Sequence, residues 1–300
     1  MSLSRRNLLT ATATLGAASV LAALDPAAAA VQGELKIQHY TADDNGFRVA
    51  SAIITGAREA ILVDAQFTLG HAHRLVADVL GAGKALTTVY ITHAHPDHYF
   101  GIEVIKAAFP DAKIVATPGV LADIEKGFPK KIADWGPKLG ANAPLKPTLP
   151  QPLSGTSLAL EGHAIEVIGP VQGDVANNTM LWVPAVRTLI AGDTVYGGTH
   201  VWTASSDKAE RAAWAKTLER IEALKPEVVV PGHIGAGTPL TLAAVAHTRD
   251  YLKIFDEVAG STRKSAAIIS AMNAKYPGLP LGIILELGAK VAGGDMPKWD

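Results

Sequence analysis

The chain has 300 residues, 48% hydrophobic and 18% charged, with a formal net charge of −1, ten histidines and no cysteine. That length and apolar content suffice for a large buried core, as one big domain or two small ones. The composition excludes disulfides and thiolate ligands, so a bound metal must be held by His, Asp or Glu, and it lacks the clustered basic charge that a nucleic-acid partner requires.

Residues 1–30 read as a targeting segment. Arg5 and Arg6 precede a small and apolar stretch over residues 8–24, and alanines occupy positions 27–30. A positive start, an apolar middle and a small-residue cleavage site make a secretory signal. The apolar stretch is about seventeen residues, at or below spanning length, so removal is expected rather than anchoring, with no stable membrane insertion afterwards. The arginine pair before Asn7-Leu8-Leu9 resembles a twin-arginine signal, which exports proteins already folded. A periplasmic or secreted protein of residues 31–300 is therefore expected, with a net charge of about −2 once Arg5, Arg6 and Asp25 are removed.

Along the mature chain, "LKIQHY" and "FRVASAIIT" flank the turn signal "TADDNG" and predict an N-terminal hairpin. Four apolar, strand-like runs each end in an acid or a histidine: "AILVD" at Asp64, "TVYITH" at His93, "TLIAGD" at Asp193 and "EVVVPGH" at His233. Helical patterns stand beside them in "HAHRLVADVL", "YFGIEVIKAAF" and "DKAERAAWAKTLERIEAL". Such alternation predicts an α/β fold, its sheets covered by helices and its ligand site beyond the carboxyl ends of the strands. "FPKKIADWGPKLGANAPLKPTLPQPLSG" is rich in Pro and Gly and reads as a long surface excursion, either bordering the site or serving as a plain connector. "SLALEGHAIEVIG" reads as a second hairpin turning at Glu161-Gly162. Beyond His233, helices are expected near residues 240–258 and 263–275.

The chemistry is concentrated in "THAHPDH". His93 and His95, two apart in extended backbone, point the same way. Pro96 turns the chain and lets Asp97 and His98 face a nearby point. Imidazoles and a carboxylate are suitable donors for a divalent ion such as zinc, and four donors exceed what one tetrahedral ion with an open position needs. Two metals sharing the cluster are the better reading.

At these residues the chain resembles the metallo-β-lactamase-fold hydrolase superfamily, through "THAHPDH", "AGD" ending at Asp193 and "PGH" ending at His233, in that order. The resemblance implies a four-layer αββα sandwich with the metals at one edge of its two mixed sheets. It implies His93 and His95 as ligands of a first metal, Asp97, His98 and His233 as ligands of a second, and Asp193 as a carboxylate bridging both. The family's usual third histidine for the first metal is missing. Gln172 stands roughly at its place with Asp174 two residues on, and either side chain, or neither, contributes an oxygen. A donor count of His93, His95 and a shared Asp193 predicts one tight zinc and a second, weaker one at the His93/His95 position.

The activity so implied is an exported hydrolase whose zinc-bound hydroxide, oriented by Asp97 as catalytic residue, attacks the carbonyl of a small-molecule substrate, a cyclic amide or ester such as a β-lactam or lactone. A mononuclear iron oxygenase of sulfur compounds and a non-catalytic metal-binding relative are the alternatives. Asp64 is expected to brace a ligand rather than bind metal, Thr92 and Gly232 to shape the backbone beside ligands. Tyr196 and His200 are expected to touch substrate, with Trp202 as pocket wall. The sequence does not fix an oligomeric state.

Overall fold

The computed structural model describes residues 34–299; the signal segment expected over residues 1–30 lies outside them. Eleven strands form two mixed sheets among the described residues. One has the order β1 (Lys36–Thr41), β2 (Ala50–Thr55), β3 (Glu59–Val63), β4 (Ala85–Tyr90), β5 (Lys113–Ala116) and β6 (Gln151–Pro152). Its first three strands are antiparallel and the rest run parallel. The other has the order β11 (Val228–Ile234), β10 (Thr188–Gly197), β9 (Asn178–Val183), β8 (His163–Val171) and β7 (Ser157–Leu160), with only β10 and β11 parallel.

Successive strand residues point to opposite faces, so a strand apolar at every position feeds two cores at once. Ile54, Ile61, Ile190 and Val230 fill the space between the two sheets. Their neighbours Ile53 and Leu62 face outward to Leu75 and Val79 of α1 (Leu69–Gly81), Ile105 of α3 (Ile102–Ala108) and Ile124 of α4 (Pro118–Leu139). Leu189 and Val229 face the opposite way, to Trp214 of α5 (Lys208–Leu224), Phe255 of α6 (Leu242–Ser261), Met272 of α7 (Ser265–Lys275) and Leu285 of α8 (Gly282–Gly293). The result is the expected αββα order of layers.

Both hairpins form where the turn signals place them, β1 with β2 and β7 with β8. The turn at Glu161 also does something its sequence did not announce. Its carboxylate accepts the backbone N–H groups of Ala57, Arg58 and Glu59 at 2.6–2.9 Å, clamping the β7–β8 turn onto the β2–β3 turn of the other sheet.

The Pro-rich stretch is the main correction. Its first twelve residues continue α4, which runs through Pro129 and Pro137. Each proline removes an intrahelical hydrogen bond, but Val120, Ile124, Phe128, Ile132, Trp135 and Leu139 recur at helical spacing and pack on the same core. Burial of that face outweighs the lost bonds. The stretch is therefore neither a simple excursion nor a plain connector, and Trp135 and Lys131 bring it to the site. α8 is a further helix that the sequence reading did not anticipate. Among the described residues no helix is long and apolar enough to cross a membrane.

Candidate metal centre

The site lies where the carboxyl ends of β3 and β4 meet β10 and β11. Asp64 follows β3 in a left-handed conformation (φ 62°), and its carboxylate turns across to the residues after β4. Asp64 Oδ1 accepts the Thr92 N–H at 2.9 Å. Asp64 Oδ2 accepts the Thr92 hydroxyl at 2.8 Å and the Nδ1–H of His98 at 2.7 Å. Thr92 Oγ1 in turn accepts from His93 Nδ1 at 2.9 Å, and the Phe47 carbonyl accepts from His233 Nδ1 at 2.5 Å. These acceptors take the Nδ1–H of three rings and so turn each Nε2 toward the centre, where it can ligate a metal once its own proton is displaced.

Pro96 opens α2 (Pro96–Tyr99), a single turn that carries Asp97 and His98. Asp193 enters from β10, whose register against β11 slips between Gly192 and Tyr196. The irregularity brings Tyr196 opposite His233, and their rings stack at 4.8 Å and 3°. Asp193 Oδ2 accepts from the Tyr196 hydroxyl at 2.6 Å and lies 3.1 Å from His233 Nε2, while Oδ1 lies 3.0 Å from His98 Nε2. Gly232 is required here, since a Cβ on it would sit 2.0 Å from Asp193 Oδ1.

Two donor groups result. Ligand atoms of His93, His95, Asp174 and Asp193 lie within 4.8 Å of one another, and so do those of Asp97, His98 and His233. Asp193 reaches both groups. His93 Nε2, His98 Nε2 and Asp193 Oδ1 are buried with no hydrogen-bond partner of sound geometry. Leaving such atoms unpaired costs about 1–3 kcal/mol each, a cost that a bound cation removes. The donor set, imidazole and carboxylate without sulfur, suits a divalent metal such as zinc. The residues fit the ion.

The charges are strongly interdependent. Burial would raise the Asp193 carboxyl, but His233, His98 and His93 hold it well below the ordinary carboxylate range. Burial would lower His98, yet Asp193 and Asp64 raise it well above its usual value, and His95, facing Asp174, rises to about 9. Burial and the facing Asp174 and Asp193 keep Tyr196 a neutral phenol and hence a donor.

Of the two replacements considered for the missing histidine, Asp174 is the one at the centre. Its Oδ2 is 2.7 Å from His95 Nδ1 and accepts from Tyr196 at 3.3 Å. Gln172 is half-buried, and its amide donates to the Gly173 carbonyl at 3.0 Å. Asp174 thus stands with His93, His95 and the shared Asp193 in one donor group. Tyr196 lines the cleft, but His200, expected to touch substrate, does not. It is buried and its Nδ1 pairs with the Tyr251 hydroxyl at 3.0 Å. Lys131 was missed. It is 6% exposed, is brought down to about 8 by burial, and donates from Nζ to the Ala94 carbonyl between His93 and His95. Only a lysine on the apolar stripe of α4 signalled it. The cleft above the donors encloses about 440 Å³ including its mouth.

Two mixed sheets between helical layers, with a buried His/Asp metal site at their edge, define a class of metal-dependent hydrolases. The family model of the metallo-beta-lactamase superfamily matches residues 44–233, and the chain belongs to that superfamily. A metallo-beta-lactamase type 2 from Bacillus cereus is 26% identical over 174 residues, 57% of this chain and 59% of the relative. The chain thus spans about three-fifths of that relative's length. Among solved structures, the DIM-1 metallo-beta-lactamase exposed to ceftazidime superposes with a TM-score of 0.56 at 19% identity, over 74% of this chain and 94% of that one. A metallo-beta-lactamase from Pontibacter korlensis gives 0.54 at 19%, over 74% and 96%. At such identities the structures establish the fold.

Proposed function

We propose that the protein is an exported zinc hydrolase that opens a cyclic amide or ester, with a β-lactam or a lactone as substrate. One observation carries this reading: seven His and Asp side chains from four separate segments converge, with three buried polar atoms unpartnered until a cation arrives.

When bound, zinc supplies a Lewis acid and a water acidic enough to lose its proton near neutral pH. The protein's own residues do the rest. Asp97, the most solvent-accessible of the donors, has Oδ2 at 3.5 Å from His233 Nε2 and faces the cleft, where it orients the attacking water and accepts its proton. Tyr196 holds Asp193 by a hydrogen bond and fixes the carboxylate between the two donor groups. Trp202 and Phe47 flank the donors and exclude water from the bound substrate. With Asp174 added to His93 and His95, both positions have a full donor set, which favours two zinc ions of comparable affinity. The pattern of Arg5 and Arg6 before an apolar stretch supports export.

Chromogenic lactam, lactone, neutral ester and phosphodiester substrates, each tested with and without chelator, check the reaction class. The expected result is chelator-sensitive turnover of a carbonyl substrate; turnover unaffected by chelator refutes it. Metal analysis during stepwise chelation should show two ions leaving together in the natural chain and one leaving early in Asp174→Ala. For export, replacing Arg5 and Arg6 by lysine should retain the protein in the cytoplasm.

A further inference from the structure

The walls of the cleft are unusual for their uniformity. Phe47 comes from the β1–β2 turn, Phe67 from the loop after β3, Trp135 from α4, Trp202 from the loop after β10, and Trp299 from the segment after α8. Their rings touch in sequence. Phe47 and Phe67 each lie 5.4 Å from Trp135, Trp135 lies 6.2 Å from Trp299, Trp299 lies 5.9 Å from Trp202, and Trp202 lies 5.9 Å from the His95 ring. Contacts this close leave no slot between the rings, so together they form one continuous apolar wall running down to the donors.

Among the described residues that line the cleft there is no lysine or arginine; the charged and ionisable lining groups are the donors themselves and Tyr196. The nearby cations already have partners, and Lys130, which lies 5.0 Å over the Trp299 ring, does not line the cleft. Lys131 is buried on the Ala94 carbonyl, Lys130 pairs with Asp134 at 2.7 Å, and Lys298 pairs with Glu210 at 2.6 Å. Lys138 rests over the Trp135 ring at 4.3 Å. The donors Asp97, Asp174 and Asp193, with Asp64 behind His98, bring four carboxylates to the centre, which balance the charge of two dications. An anionic group pressed against this wall would lose its hydration and find no cationic side chain in the lining, which is costly.

The segment carrying Trp299 is itself fastened. Lys298 is clamped by Glu210, and the Trp299 backbone N–H donates to the Ala204 carbonyl at 3.0 Å. Glu210 also closes the capping box of α5, so the ring is held against a rigid helix end.

We propose that the cleft selects an uncharged substrate that lays a flat apolar group against the Phe47–Trp135–Trp299–Trp202 wall, an aryl lactone or neutral ester in preference to an anionic β-lactam, and that Trp299 determines this specificity. The proposal rests on the hydrolase reading for its reaction but not for its binding preference.

Two measurements on the zinc-loaded protein separate these. The first is equilibrium binding of the unreactive ethers chroman and chroman-6-carboxylate, read by quenching of tryptophan fluorescence. The second is chelator-controlled turnover of dihydrocoumarin and its ring-carboxylated analogue. Neutral probes should be favoured at least tenfold in both. Trp299→Ala should reduce that ratio about tenfold, the scale of one apolar contact, and Trp299→Phe should restore most of it. Equal or tighter binding of chroman-6-carboxylate, or a ratio unmoved by Trp299→Ala, overturns the proposal. If chroman is preferred while neither lactone shows chelator-sensitive turnover, the hydrolase reading fails and the binding preference stands.

Discussion

Replacing Gly232 by alanine perturbs the centre without replacing a donor. The new Cβ would lie 2.0 Å from Asp193 Oδ1, 2.7 Å from the Gly192 carbonyl carbon and 2.8 Å from its oxygen. Ordinary contact begins at 3.4 Å, so the carboxylate oxygen must retreat by the 1.4 Å difference. It has nowhere to go, because Oδ2 is tied to Tyr196 at 2.6 Å and His233 at 3.1 Å. Metal ligation tolerates about 0.2 Å. A shift several times larger should lower metal affinity by about two orders of magnitude, with about 1–3 kcal/mol of stability lost to overpacking. Zinc titration against a competing chromophoric chelator, with circular dichroism to confirm folding, reads both effects. Gly81→Ala is the control, since at that end of α1 an added Cβ meets no atom within 4 Å. A folded Gly232→Ala protein that binds zinc as tightly as the natural chain would show that Asp193 does not hold metal.

Other consequences follow from the same geometry. Asp64→Asn keeps a residue at ease with φ 62° but removes the charge that orients His98, so zinc affinity should fall about 10–100-fold; unchanged affinity in the same titration contradicts the bracing role. Asp97→Asn at saturating zinc should cut kcat by about 10²–10⁴, and a loss below twofold removes Asp97 from catalysis. The three backbone N–H groups on Glu161 hold its carboxyl below the ordinary value of 4.5. A depressed carboxyl stabilises the folded state above that ordinary value and stops doing so as pH falls through the folded one. The urea midpoint of the natural chain should therefore exceed that of Glu161→Gln at neutral pH and converge with it as the folded carboxyl protonates in acid; a gap that does not narrow in acid refutes the clamp.

Much of the centre was legible because its signal is local. "THAHPDH" packs four donors into six residues at a strand end, and the strand runs around Asp64, Asp193 and His233 are apolar enough to place those residues at one edge of the sheets. The core was legible for the same reason, since a period of two or 3.6 is a property of neighbours along the chain. α4 shows where local rules mislead: two prolines argued for a loop, while its apolar stripe, equally present in the sequence, had the larger energy behind it.

The choice of Asp174 over Gln172 could not be read from the chain, because both are oxygen donors two residues apart and only the path of the loop after β8 decides which one faces His95. The same holds for the aromatic wall. Its rings stand as much as 252 positions apart, from Phe47 to Trp299, and apart from Trp202, expected as pocket wall, each alone reads as ordinary core. Donor chemistry is written in residue type and short spacing; which distant side chains share a cavity is set by how sheets and helices pack, and packing is a sum over contacts that no short stretch contains.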